Sequence, residues 1–329
     1  MPTVLVSSKN EVSEGDSHVK LFKEHGFDVK LVNDYDFSMG LASDHDVIDI
    51  LQGVSATIAK GTRFPSQILN NLPDLRVIAR AGVGFDRVDL DSATANDVVV
   101  TITPNANHEA VAEHAMSFIF ALSKLLYDQS IRLGEWNNYI RKPIRGSTLG
   151  VVGLGRIGKS LAARANAMKM KIVATEQFPD NAFIEKYGIE LVSLDDLLKV
   201  SDYVSLHCPL SDDTHGMINS DKLKLMKDDA SLVNTARGGL VVESDLADAL
   251  KSGEIASAGL DVFEQEPTSQ NNPLYQIDNV ILSPHIAGSD YTSTHDMSME
   301  AANSIIKLYQ GVWPEGSVVN TKVKDGWSW

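Results

Sequence analysis

Within GLDVFEQEP, residues 259 to 267, the chain places three carboxylates: Asp261, Glu264 and Glu266. Like charges this close repel unless partners or solvent divide them. Glu266 follows the β-rich run SAGLDV, just as Arg237 follows SLVNT and His285 follows VILSP. In open α/β sheets, ligands bind outside the carboxyl ends of the strands. An Arg, a Glu and a His gathered there suit the reduction of a 2-oxo acid. The carbonyl oxygen gains negative charge as hydride arrives, so it needs a proton donor and a cation nearby. His285 can give the proton, and Glu266 can orient the imidazole and favour its charged form. Arg237 can hold the substrate carboxylate and polarise the carbonyl. Taken singly, each residue also fits a solvated or structural role; it is their joint placement beside a dinucleotide turn that carries the reading.

That turn is VVGLGRIG, with Gly153, Gly155 and Gly158 in G-x-G-x-x-G spacing. The spacing alone is weak, because glycine punctuates many turns. Here an apolar strand precedes it, and Ile157, Leu161, Ala165 and Met168 follow at helical spacing. The next strand, KIVAT, ends against Glu176. This context makes the motif a dinucleotide fingerprint. The first glycine makes the tight turn, the second admits the pyrophosphate close to backbone, and the third lets helix approach strand. The anion sits at the helix N-terminus, where free N–H groups and the dipole favour it. Glu176 accepts from an adenosine ribose and repels a 2′-phosphate, which favours NAD over NADP.

These residues need sheets to position them. TVLVSS, FDVKLVN, ATIAK, LRVIAR and VVVTI alternate with segments of helical length, the rhythm of a parallel sheet covered on its faces. From Asn107, an expected N-cap, Val111, Ala115, Ile119, Leu122 and Leu126 follow a helical period. A second series comprises LGVVG, KIVAT, DYVSLH, SLVNT, SAGLDV and VILSP. Met297, Ala301, Ile305 and Leu308 then mark a late helix, stopped by Gly311 and Pro314. The expected architecture is α/β, with two doubly wound parallel-sheet domains. Residues 1–105 and 286–329 form a discontinuous substrate-binding domain, and residues 106–285 the inserted dinucleotide-binding domain.

Composition narrows the partners. The 329 residues carry a formal charge of −15, which disfavours nucleic acid or an anionic membrane and requires a local basic pocket for an anionic substrate. A single cysteine, Cys208, fits a reducing compartment. The start MPTVLVSSKN is too short in apolar residues for a secretory signal, and no stretch approaches a membrane span. A cytoplasmic location is expected. No His, Cys, Asp or Glu group has metal-ligand spacing.

TARGGLVVESDLADAL, AGLDVFEQEP and SPHIAGS resemble signature blocks of the D-isomer-specific 2-hydroxyacid dehydrogenases; RAGVGFDRVDLDSA and NANHEAVAEHA match blocks of the same family. The likeness runs from about residue 54 to 320. It implies a flavodoxin-like substrate domain, a Rossmann cofactor domain with the active site in the cleft between them, and a homodimer. It also implies that Asp261 contacts the nicotinamide carboxamide, that Glu266 partners His285, and that Glu264 faces solvent. By the same resemblance Val83 and Gly84 receive the substrate carboxylate, and Arg156 and Ile157 touch the pyrophosphate. Cys208, Thr214, Thr235, Ala236 and Gly288 resemble further cofactor contacts. Cys208 also fits an inert buried thiol. His207 reads as structural, and His108 and His114, on the long helix, take no catalytic role.

Within the family, formate dehydrogenases resemble this pattern with glutamine at the place of Glu266, and phosphite dehydrogenases with lysine near Val83. Neither departure is present. RAGVGFDRVDLDSATA is most similar to the D-3-phosphoglycerate dehydrogenases, and Lys60 and Arg80 fall where that group places cations for the phosphate. Those cations could equally balance Asp86 and Asp89. D-3-phosphoglycerate is therefore the expected substrate, with glyoxylate/hydroxypyruvate reduction as the alternative because it shares the catalytic blocks. Corepressors of the C-terminal binding protein type use the same scaffold, retain the Arg, Glu and His, and bind peptides; the acidic surface argues against that role.

Overall fold

The computed structural model describes residues 1–7, 12–126 and 142–329. The chain divides into two compact units, Met1–Asn107 with Asp290–Trp329, and His108–Ser289.

In the first unit the strands are β1 (Thr3–Ser7), β2 (Asp28–Val32), β3 (Ala56–Ala59), β4 (Val77–Arg80) and β5 (Val99–Thr101). They pair in parallel in the order β2-β1-β3-β4-β5, the flavodoxin-like order. Both faces are covered, which explains the unbroken apolar runs. Val4, Val6, Val77 and Ala79 face a cluster with Phe22, Ala301 and Ile305. Leu5, Ile78 and Val100 face the opposite one, with Phe37, Leu51 and Phe64. The late helix, Tyr291–Tyr309, therefore completes this unit, its start capped by the Asp290 carboxylate accepting from Ser293 N at 2.6 Å.

In the second unit the strands are β6 (Thr148–Val152), β7 (Lys171–Thr175), β8 (Glu190–Leu191), β9 (Tyr203–Leu206), β10 (Ser231–Asn234), β11 (Ser257–Leu260) and β12 (Val280–Leu282). Their order is β12-β11-β10-β9-β6-β7-β8, with parallel pairing throughout. Strand order reverses at β6, the topological switch point of a Rossmann sheet. β8 escapes the sequence reading because it is two exposed residues at an edge.

The long helix, His108–Lys124, ends sooner than its apolar period suggests. Leu125 turns to φ +50°, and Leu126 is 73% exposed beyond the helix end. Asn107 stands at the cap position, yet its buried Oδ1 has no hydrogen-bond partner among the described residues, so the expected capping bond is not made.

Candidate active site

The carboxyl ends of β10, β11 and β12 lie side by side, since Asn234 pairs with Leu260 and Leu260 with Leu282. Arg237, Glu266 and His285 leave from these neighbouring ends. Nδ1 of His285 lies 2.7 Å from Oε2 of Glu266, with the imidazole 48% exposed and the carboxylate 20%. The other carboxylate oxygen of Glu266 accepts from Phe263 N at 3.1 Å, which fixes the acid before it meets the ring. With Nδ1 against the carboxylate, Nε2 is the nitrogen left to serve a substrate.

Arg237 is half-buried, and its guanidinium donates to the Ala236 carbonyl at 2.6 Å. Its turn is shaped by Asn234, which composition alone does not flag. The Asn234 side chain donates to Arg237 O at 2.8 Å and accepts from Ala236 N at 3.0 Å. Gly238 lets this turn press against β11's loop, because a Cβ there would lie 1.9 Å from the Phe263 carbonyl carbon.

The three carboxylates of the 259–267 segment part company. Glu264 is exposed, as expected, and its carboxylate accepts from Glu243 N at 3.0 Å while its own N–H donates to the Glu243 carboxylate. Asp261 lies inside the loop that carries His285. It is 0% exposed, and its oxygens accept from Ser283 Oγ at 2.5 Å, Ile286 N at 2.9 Å and Ala287 N at 2.8 Å. An enclosed carboxylate so engaged holds the His285 loop. Gly288 follows that clamp directly.

The glycine turn fits a dinucleotide. Gly153 has φ +93°, and a Cβ on it would lie 2.7 Å from Cys208 N. Above Gly155 a Cβ would meet nothing within 4 Å, leaving room for an anion. At Gly158 a Cβ would lie 2.1 Å from Gly153 O, so only glycine lets the helix Arg156–Ala167 come this near. Arg156 and Ile157 open that helix. The Glu176 carboxylate reaches the turn itself, accepting from Leu154 N at 2.5 Å and Phe178 N at 2.8 Å. Thr235 Oγ1 is buried without a hydrogen-bond partner among the described residues. Thr214 is differently placed: its hydroxyl donates to Pro209 O at 2.8 Å and accepts from Ser211 N at 2.8 Å. Burial pushes the Cys208 thiol up to about 11, which makes it an uncharged wall. Burial likewise drives His207 down to about 3; its Nδ1 is enclosed, and its Nε2 meets Ser205 Oγ at 2.8 Å.

In the first unit, Lys60 follows β3 and Arg80 ends β4, with Ala59 and Arg80 in register. Arg80 is 7% exposed, and its guanidinium donates to the carbonyls of Lys60, Thr62 and Gly84. It ties the loops after β3 and β4 together. Val83 and Gly84 are half-buried, and among the described residues their N–H groups have no hydrogen-bond partner.

Residues 116–287 match the family model for the D-isomer specific 2-hydroxyacid dehydrogenase NAD binding domain. A D-3-phosphoglycerate dehydrogenase of Archaeoglobus fulgidus is 37% identical over 79% of this chain and 50% of its own length. A glyoxylate reductase of Thermococcus litoralis is 38% identical over 77% of this chain and 79% of its own. The chain thus spans about half the length of the first relative. Among solved structures, a D-lactate dehydrogenase of Aquifex aeolicus complexed with NAD and lactic acid superposes with TM-score 0.83 at 29% identity, over 96% of this chain and 99% of that one. With the two parallel sheets and the glycine turn, these likenesses settle the class. The chain belongs to the D-isomer-specific 2-hydroxyacid dehydrogenase family, and its second unit carries that family's nicotinamide-cofactor domain.

Proposed function

We propose that the protein is an NAD-dependent D-2-hydroxyacid dehydrogenase, and the observation that carries this is the Glu266–His285 pair at 2.7 Å beside a glycine turn fit for a dinucleotide. When bound, the nicotinamide supplies or accepts the hydride at the substrate's second carbon. Gly153, Gly155 and Gly158 hold the pyrophosphate, Glu176 the ribose, and Thr235 and Ala236 the stretch beyond it. Nε2 of His285 gives its proton to the carbonyl oxygen in reduction and takes it back in oxidation. Glu266 keeps the ring turned and compensates its charge. Arg237 draws the carboxylate and the carbonyl oxygen of the substrate, and the N–H groups of Val83 and Gly84, which have no hydrogen-bond partner among the described residues, suit a carboxylate.

For the substrate, the engagement of Arg80 with three carbonyls favours an unphosphorylated 2-oxo acid such as glyoxylate or hydroxypyruvate over D-3-phosphoglycerate. One of the two cations expected for a distal phosphate is then a loop fixture. Steady-state kinetics with NADH on glyoxylate, hydroxypyruvate, pyruvate and 3-phosphohydroxypyruvate tests both levels. Lys60→Ala is expected to leave kcat/KM for hydroxypyruvate within about threefold, a surface-sized change. A phosphorylated substrate preferred at least about tenfold, with that preference lost in Lys60→Ala, overturns the assignment. No turnover of any of the four, with NADH still bound, points to a dinucleotide-sensing binding protein.

A further inference from the structure

His285 is a non-glycine residue at φ +51°, in the left-handed region that a side chain disfavours. Such a backbone persists only where its surroundings over-determine it. Asp261 does much of this. Its carbonyl accepts from His285 N at 2.8 Å, and its carboxylate takes the next two N–H groups, Ile286 and Ala287.

The chain of contacts runs further, to a residue with no part in the proposed reaction. Ser283 Oγ donates to Asp261 Oδ1 and lies 2.9 Å from Nε2 of His114. A serine has one hydroxyl proton, and Asp261 receives it. Ser283 must therefore accept on its other side, and His114 must carry its hydrogen on Nε2. The fold delivers the ring there. The helix His108–Lys124 closes onto β11 at Gly259, where a Cβ would lie 2.7 Å from Phe118 Cγ. Phe118, one turn beyond His114, meets the imidazole edge-on, with centroids 4.7 Å apart and planes at 85°.

We propose that His114 is a positioning residue for His285. Its Nε2–H orients the Ser283 hydroxyl, Ser283 joins Ile286 N and Ala287 N as a donor to the Asp261 carboxylate, and Asp261 clamps the loop so that His285 meets Glu266. The kinetic consequence rests on the dehydrogenase reading; the clamp does not.

The test is hydrogen–deuterium exchange of the cofactor-free protein over residues 283–288, with β6 as the internal reference, in wild type, His114→Phe, His114→Gln and Ser283→Ala. Removing one part-buried hydrogen bond in the clamp should speed exchange at Ile286 and Ala287 by about tenfold. β6 should keep its rate, and His114→Gln, which retains a side-chain N–H, should recover most of the protection. Ser283→Ala reads the same loop should His114→Phe fold poorly. In turnover, His114→Phe should lower kcat by about tenfold with KM for NADH within about twofold. Unchanged exchange at Ile286 and Ala287, a rise shared by β6, a glutamine variant no better than phenylalanine, or a loosened loop with wild-type kcat each overturns the proposal. Should wild type turn over no 2-oxo acid, the dehydrogenase reading fails while the exchange result still decides the clamp.

Discussion

Glu266 and His285 share one short contact, but they differ in what their loss should do. In the proposed reaction His285, whose side chain is 48% exposed, meets the substrate, whereas Glu266 acts through the ring. His285→Gln keeps the size and a donor but cannot cycle a proton. It should bind NADH as wild type does and lose kcat by roughly 10²- to 10⁴-fold, the range for removed acid–base catalysis. Glu266→Gln should lose less and narrow the pH range of kcat/KM, because only the support for the charged ring is weakened. Stopped-flow and steady-state measurements on both variants decide this. Near-wild-type turnover in His285→Gln would assign the proton to another group.

At the scale of elements, strand ends and one helix start place the chemistry. The turn Gly153–Gly158 joins β6 to the helix Arg156–Ala167, and β7 ends where Glu176 reaches back to Leu154 N. A carboxylate held there can accept from a ribose and meets a 2′-phosphate with like charge. Selectivity should follow: kcat/KM for NADH at least about tenfold above that for NADPH, a demand of about 1.4 kcal/mol. Glu176→Gln should narrow the gap. Equal use of both cofactors by wild type would remove the role given to Glu176. The same scale explains Gly238, whose missing side chain lets Arg237's turn rest on the loop after β11.

At the scale of the whole molecule, acid stability depends on histidines that folding keeps neutral. Burial lowers His207 to about 3 from an ordinary 6.5. Burial is also the main cause of the downward shift of His18, with Asp16 opposing it and Lys60 and His295 adding to it. The unfolded chain takes up protons below about pH 6.5 that folded His207 refuses until about pH 3, so stability falls as pH drops through that window. Carboxylates act lower. Burial would raise Asp202, but hydrogen bonds from Lys142, Thr148 N and Lys227 outweigh it and hold the carboxyl below 3.8, so its contribution is lost only as pH falls past that range. His207→Asn should therefore shrink the drop in urea midpoint between pH 7 and pH 5 for the second unit. Equal drops in variant and wild type would show that His207 does not resist protonation. Among the described residues no helix is long and apolar enough to cross a membrane.

Much of this was legible in the residues. Apolar runs of four or five, repeated between helical periods, can satisfy themselves only in covered parallel sheets, and the glycine spacing admits few other turns. Arg237, Glu266 and His285 could be placed because each follows such a run closely. Tertiary structure decided what depends on which atoms meet. Asp261 and Glu266 are five positions apart and equally acidic, yet one is enclosed by Ser283, Ile286 and Ala287 while the other meets His285. Arg80 is a cation at a strand end in either reading; only the fold turns its donors onto three carbonyls. β8 has too few residues to show a period. His114 and Ser283 lie 169 residues apart, and periodicity marks His114 merely as a position on a helix. Local pattern sets which face of an element is buried, but hydrogen-bond partners are chosen by the packing of distant segments, and that choice leaves no spacing to read.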